Sequence, residues 1–467
     1  MTETLMNQSL FQISSFSLVM SLLVLLVGLV VTVYSVKYMA GDAEYKSYFL
    51  KIFSLLISLI CMFNVDNILA FISFWALANL FLVMLMVHKS SWRQALEMGV
   101  LAGRNFSLGL ISFLLFTALC FSQLQTFSIN EISRSFLDLE PVSQTILFIL
   151  LLITAMTQSA QIPFHGCLAS SINAPTPVSA LMHAGLVNGG GYLLVKFSSL
   201  LLVNKTFLLS VFIIGSVSAF TALIWLFIKS SVKGALVAST ISQMGFMFMQ
   251  IGLGLFPAAI SHLCMHGFFK AFHFLSASSA FTDLKIKNLA VNFKDGLRLS
   301  DGKAFSLALL IGLASLFIFS LYSPYSLNFS DSSFILLCFI FMALSEFSFS
   351  SIKEANRSLN ASLSFLLALV LASLAAFLYA LFLSGFEYIL SIHNFTYALN
   401  SVHYLVLAIF SLAWFLMHFQ RQSLDLMSSL FGTLPKKLRA ALYIFFVNSS
   451  EANYSTNTAL RGDYRYK

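Results

Sequence analysis

Apolar runs of about 17–25 residues recur roughly thirteen times along the chain, each long enough to cross a hydrocarbon layer about 30 Å thick as a helix. They lie near 13–37, 47–63, 66–88, 100–121, 142–160, 175–197, 206–228, 233–252, 256–281, 302–322, 333–351, 358–383 and 402–419. In lipid every backbone polar group must be satisfied within the protein, so only helices or a closed barrel can span. Barrel strands would give alternating segments of about ten residues, and no such pattern is present. Hydrophobic residues make up 59% of the chain and charged residues 9%, which excludes a soluble multidomain protein. The sequence therefore describes an all-α polytopic membrane protein. The run at 16–35 is too long for a signal-peptide core and lacks a basic leader, so it reads as the first span.

The formal net charge is +8, but Lys and Arg are scattered through connections and the tail, which speaks to topology rather than nucleic acid. They gather on alternate connections, at Lys37 and Lys46, Lys89 and Arg93, Lys229 and Lys233, Lys285 to Lys303, Lys353 and Arg357, and beyond Arg421. The positive-inside rule then places the N-terminus outside and the C-terminus in the cytoplasm, and an odd number of spans agrees. Residues 1–419 read as one transmembrane domain and 420–467 as a cytoplasmic tail. The loop 283–303 and that tail are large enough to receive a soluble partner, or are simply solvated basic loops. Five scattered cysteines with no Cys/His ligand spacing argue against disulfides and a structural metal site.

Within the ninth run His262, His266 and Lys270 stand four residues apart, with His273 three further on. On a helix the first three share one slightly drifting stripe. Ionisable groups in hydrocarbon are costly, about 2.5–3.5 kcal/mol on insertion scales, and mark ion paths by default. An HxxxH metal pair is disfavoured by the missing Glu and by the nearby Lys270; hydrogen bonding alone is the structural alternative. The preceding run adds Lys233, Ser239, Thr240, Ser242 and Gln243, a polar face next to the stripe, although Lys233 could only snorkel. His183 lies in the sixth run ahead of Asn188-Gly189-Gly190-Gly191, where the glycines suggest close helix packing. Glu346 is the most prominent acid inside a run; Asp66 reads as an N-cap of the third.

Between the fifth and sixth runs, Gln158-Ser-Ala-Gln-Ile-Pro163-Phe-His165-Gly and Asn173-Ala-Pro175-Thr-Pro177 interrupt the helical pattern. Prolines free backbone groups, and freed backbone at membrane depth is tolerated where it is buried in protein or lines a wet cavity. An ordinary loop with Pro175 opening the next helix is the alternative.

The phrases SAQIPFHG, APTPVSALMHAG, KGALVASTISQMGFM and HLCMHGFFKAFHFLSA resemble the antiporter-like membrane subunits of respiratory complex I and of multisubunit cation/proton antiporters. The runs HAGLVNGGGYLL, GLGLFPAAISHL and FKAFHFLSA are more similar to the membrane subunit of the DAB inorganic-carbon uptake complex. That resemblance implies an antiporter-like fold of about 13 transmembrane helices with interrupted helices. It also implies a proton (or Na⁺) path along His183, Lys233, His262, His266 and Lys270, with Glu346 as the acid on the far side. The partner it implies is a cytoplasmic, zinc-containing, carbonic-anhydrase-like (DabA-like) subunit that hydrates CO2, leaving this chain a non-enzymatic transport subunit without its own cofactor. The carry-over is partial. Gln158 stands where the family has a broken-helix lysine, Phe74-Trp75-Ala76-Leu77 lacks the helix glutamate, and Cys167-Leu168-Ala169 replaces Trp-Leu-Pro. Alternatives are a subunit of a complex I-like, hydrogenase-like or cation/proton antiporter assembly, or a non-conducting scaffold.

Overall fold

The computed structural model describes residues 11–171, 174–229, 231–277, 300–325, 328–355, 360–390 and 394–418. The 420–467 tail, most of the 283–303 loop, Asn173 and Arg357 lie outside them. The main helices are α1 (Ser15–Tyr38), α2 (Tyr45–Asn64), α3 (Ile68–Met86), α4 (Arg93–Leu124), α5 (Pro141–Gln158), α6 (Thr176–Ala184) and α7 (Gly189–Lys196). They continue with α8 (Lys205–Ile228), α9 (Val232–Gly252), α10 (Phe256–Ser276), α11 (Asp301–Tyr322), α12 (Ser332–Ala355), α13 (Ala361–Leu390) and α14 (Ser401–His418). Among the described residues eleven helical segments are long and apolar enough to cross a membrane, with α6 to α7 counted as one. The remaining two of the thirteen expected spans are α10, whose imidazoles and ammonium dilute its apolar character, and the shorter α14. Leu22, Leu25, Leu29 and Val33 of α1 and Leu366, Val370 and Leu374 of α13 stay exposed, as lipid-facing surfaces require.

The described residues group into two compact units. The first contains α1 to α9 and α10 from His262 onward; the second contains Leu253–Ser261 and the helices from α11 onward. In the second, Ala368, Ala372, Ala376 and Ala380 form a buried small-residue stripe along α13. Ala304, Ala308, Ile311 and Ile352 share a core cluster with the first two of these alanines. In the first unit α8 and α9 approach until their backbones nearly touch: a Cβ on Gly245 would lie 2.5 Å from Ala219 N and 2.6 Å from Gly215 O. Small residues bring membrane helices this close and so place α9 firmly against its neighbour.

The sixth run is not one continuous helix. After α6 the chain passes through Gly185 (φ −112°, ψ −74°) and a short 3-10 turn, Leu186–Asn188, before α7. The interruption frees the Leu186 and Val187 carbonyls, which accept from Gln158 Nε2 at 3.4 Å and Ser159 Oγ at 2.7 Å. The glycines pack as the sequence suggests: a Cβ on Gly190 would strike the Ala155 carbonyl and Ser159 Oγ, and one on Gly191 the Met247 side chain. Asp66 is not the cap of α3. Asn67 caps it by accepting from the Leu69 and Ala70 N–H groups. Asp66 instead accepts from Ser128 Oγ at 2.5 Å and Asn130 N at 3.2 Å, at the start of the short helix Ile129–Arg134. An N-terminal turn always leaves donors free, and here a neighbouring helix start competes for the carboxylate.

Candidate functional site

The polar centre of the first unit is built on α9, which touches the groups contributed by α6 and α10. Lys270, on α10, is fully buried. Its Nζ donates to Ser239 Oγ at 2.8 Å and to the Leu236 carbonyl at 3.4 Å, and no ion pair involves it among the described residues. A buried ammonium with only neutral partners is unusual, because desolvation is normally offset by a counter-ion. It can gain or lose a proton without breaking a salt bridge.

His183, at the end of α6, is also fully buried and lies flat on Phe274, with ring centroids 4.2 Å apart. Its Nε2 is 3.1 Å from Ser171 Oγ and its Nδ1 is 3.1 Å from Thr240 Oγ1. Each hydroxyl also donates to a carbonyl, Ser171 to Leu168 at 2.7 Å and Thr240 to Leu236 at 2.9 Å. A hydroxyl has one proton to give. With both given to carbonyls, both ring nitrogens face acceptors, the pattern an imidazolium needs; turning one hydroxyl toward the ring suits the neutral form. The site therefore accommodates both protonation states through a rotation about a single C–O bond.

His262 and His266 occupy successive turns of α10, with ring centroids 6.2 Å apart. His262 Nδ1 is 2.9 Å from Gln250 Oε1. His266 is buried and, among the described residues, neither of its ring nitrogens has a hydrogen-bond partner. Buried polar groups are nearly always paired, with protein or with ordered water, so this imidazole marks a place in the stripe suited to hydration. The four-residue spacing thus sets His262, His266 and Lys270 on successive turns of α10: His262 is bonded to Gln250, His266 stands between without a bond of its own, and Lys270 meets the Leu236 carbonyl that Thr240 shares, leading on to His183 and Ser171.

Lys233 stands apart from these groups. Its Nζ donates to the Ala174 carbonyl at 3.4 Å, a carbonyl in the interrupted segment, and it lines a cavity of about 450 Å³ with Tyr38, Asp42, His88, Lys89 and Pro175. Pro175 precedes α6 and Pro177 lies in its first turn. Pro163 belongs to the turn between α5 and the short helix Gly166–Ser170. His165 packs its ring 4.7 Å from that of Trp225. The interruption thus supplies acceptors to Lys233, and to His183 through Ser171.

Glu346 lies in the second unit on an exposed face of α12, where its Oε2 accepts from Trp414 Nε1 at 3.3 Å. Gln158 is buried against Asn79 in a reciprocal amide pair, Gln158 Nε2 to Asn79 Oδ1 at 3.1 Å and Asn79 Nδ2 to Gln158 Oε1 at 3.3 Å. The pair is uncharged in every accessible protonation state. Ser171, Asn79 and Gln250 were missed in the sequence. The available signal was positional: Asn79 and Gln250 are polar residues deep in apolar helices. Of the polar face of α9, Ser239 meets the stripe at Lys270 and Thr240 meets His183 instead, whereas Ser242 turns away to the Ala219 carbonyl at 3.2 Å. No cluster of three or more metal-binding side chains occurs among the described residues.

Residues 65–352 match the NADH:quinone oxidoreductase/Mrp antiporter transmembrane family, and residues 4–49 match the NADH-ubiquinone oxidoreductase (complex I) chain 5 N-terminus. The chain is 35% identical over 280 residues to the probable inorganic carbon transporter subunit DabB of Bacillus subtilis, covering 59% of this chain and 54% of the relative. It is 34% identical over 276 residues to NADH-quinone oxidoreductase subunit L of Mycobacterium tuberculosis, covering 57% and 43%. The matched region spans about half the length of these curated relatives. The fold is similar to a chain in the Mrp complex from Dietzia, with a TM-score of 0.60 at 20% identity over 97% of this chain and 53% of that one. The chain belongs to the NADH:quinone oxidoreductase/Mrp antiporter family of membrane proteins.

Proposed function

We propose that this chain is the ion-conducting membrane subunit of an inorganic-carbon uptake assembly, passing protons (or Na⁺) along His262, His266, Lys270 and His183, with Lys233 on the basic side. The observation that carries the reading is Lys270, buried without a counter-ion among the described residues and joined through α9 to a histidine whose hydroxyl partners suit either charge state. The similarity to DabB proteins supports carbon uptake as the coupled process. In this reading the N-terminus faces outward and the basic connections lie in the cytoplasm of a bacterial inner membrane. CO2 hydration belongs to a zinc-containing, carbonic-anhydrase-like cytoplasmic partner, and this chain supplies the driving force. One charge crossing 100 mV is worth about 2.3 kcal/mol, enough to bias hydration in one direction.

A complex I-like or antiporter role is the second reading, favoured by the subunit L similarity. Purifying the tagged full chain from native membranes distinguishes the two. A zinc protein binding CO2 or bicarbonate supports carbon uptake; redox subunits overturn it in favour of the second reading. The neutral Asn79–Gln158 pair speaks for a scaffold only if Lys270 proves dispensable.

A further inference from the structure

Two connections, residues 39–44 and 87–92, meet outside the spans through Asp42 and His88, whose Oδ1 and Nε2 lie 3.2 Å apart. The imidazole is almost wholly enclosed, with 1% of its side chain exposed, while the carboxylate is 24% exposed. Tyr48 of α2 holds the ring edge-on at 5.1 Å. The second nitrogen, Nδ1, is buried without a hydrogen-bond partner. Asp42 also accepts from Glu44 N at 2.9 Å, so the carboxylate is fixed in place. Both residues line the 450 Å³ cavity that contains Lys233 and Tyr38, and Tyr38 Oη accepts from Thr176 N, the first residue of α6, at 3.5 Å.

A pair serving only to join two loops would satisfy both imidazole nitrogens or leave the spare one in water. Here one nitrogen meets a partly exposed carboxylate and the other is enclosed and, among the described residues, unpaired, in the wall of a cavity that Lys233 also lines. We propose that Asp42 and His88 form the proton-exchange group of this cavity, passing protons between bulk solvent and Lys233. A proton reaching the Asp42 carboxylate from water is shared with His88 Nε2 and is released again from the carboxylate, which itself lines the cavity, toward Lys233. The reverse sequence runs outward, and no co-reactant is needed. The titratable groups around the pair are Tyr48, edge-on to the ring, and Lys89, Tyr38 and Lys233, which line the same cavity. The inference rests on the proton-path reading above.

The test uses membrane vesicles of both orientations carrying the full chain expressed with its natural neighbours, with a luminal pH dye reporting flux as bath pH is varied. D42N and H88Q should each lower flux by about fivefold or more and change its dependence on bath pH, whereas D42E, which keeps the carboxylate, restores both. Immunoblotting of the vesicles normalises flux to the amount of chain, so poor folding is not read as loss of exchange. If D42N and H88Q keep wild-type flux and profile while K270M abolishes flux, the exchange group is wrong and the proton path stands. If K270M conducts like wild type, or wild type does not conduct, the path itself falls and this inference with it.

Discussion

Lys270 and Thr240 share one acceptor. The Leu236 carbonyl receives Lys270 Nζ at 3.4 Å and the hydroxyl of Thr240, the residue that holds His183 Nδ1, at 2.9 Å. Two ionisable groups from different helices are therefore coupled through a single turn of α9. A proton arriving on either changes the demand on that carbonyl and on the Thr240 rotor, so the occupancy of one group biases the other through contacts of about 3 Å.

That coupling predicts a specific role for the hydroxyls. T240V keeps the shape but removes the hydroxyl proton and acceptor, and S171A does the same on the other ring nitrogen. Each should lower proton flux several-fold and cost about 1–3 kcal/mol, because a buried imidazole nitrogen is left unpaired. T240S should recover most of the flux. Flux and thermal unfolding of the three variants check this; unchanged flux in T240V would separate His183 from the path.

Asn79 and Gln158 should behave oppositely. N79A leaves the Gln158 amide without its reciprocal partner and should destabilise the chain by about 1–3 kcal/mol, with flux per folded molecule retained because no titratable group is removed. Thermal unfolding together with vesicle flux measures both. Loss of flux in well-folded N79A would bring this amide pair into the conducting machinery.

The close approach of α8 and α9 is a further point of sensitivity. G245A places a methyl 2.5 Å from the Ala219 nitrogen, where backbone rather than a flexible side chain must move. Overpacking of this kind costs about 1–3 kcal/mol, and a shift of α9 also moves Ser239 and Thr240. The expected outcome is a lower unfolding temperature together with reduced flux, in contrast to N79A.

Acid stability gives an independent check outside the membrane. The Glu44 N–H, followed by His88, holds the Asp42 carboxyl below its ordinary range. A depressed carboxyl contributes stability above its unfolded value, near 3.9, and loses it as pH falls through the folded value. D42N should therefore be less stable than wild type at pH 6, and the gap should close as the pH drops below about 4. Unfolding temperature against pH measures it; a gap that widens in acid contradicts the assignment.

The sequence reveals the spans because a bilayer demands long apolar runs whatever surrounds them, and the α10 stripe because helical spacing alone aligns its members. The break at Gly185 is less legible, since Gly185 reads equally as part of a glycine-rich packing face; what opens the helix is the set of donors on Gln158 and Ser159. Asp66 reads as the cap of α3 from its place at a span boundary, but a carboxylate there can serve any nearby turn, and only the fold brings Ser128 and Asn130 to it. The partner of Glu346, Trp414, lies 68 residues away and is likewise invisible in the sequence. Partners such as Ser171 and Gln250 become visible only once α6, α9 and α10 are packed.

The most direct measurement is inorganic-carbon accumulation in cells whose only copy of this chain carries K270M, with assembly verified by co-purification. Methionine fills the lysine's volume without a titratable group, so the fold should hold. The account predicts accumulation falling to background, at least about tenfold, with the assembly intact and the unfolding temperature unchanged or raised. Wild-type accumulation in an assembled K270M protein would contradict it.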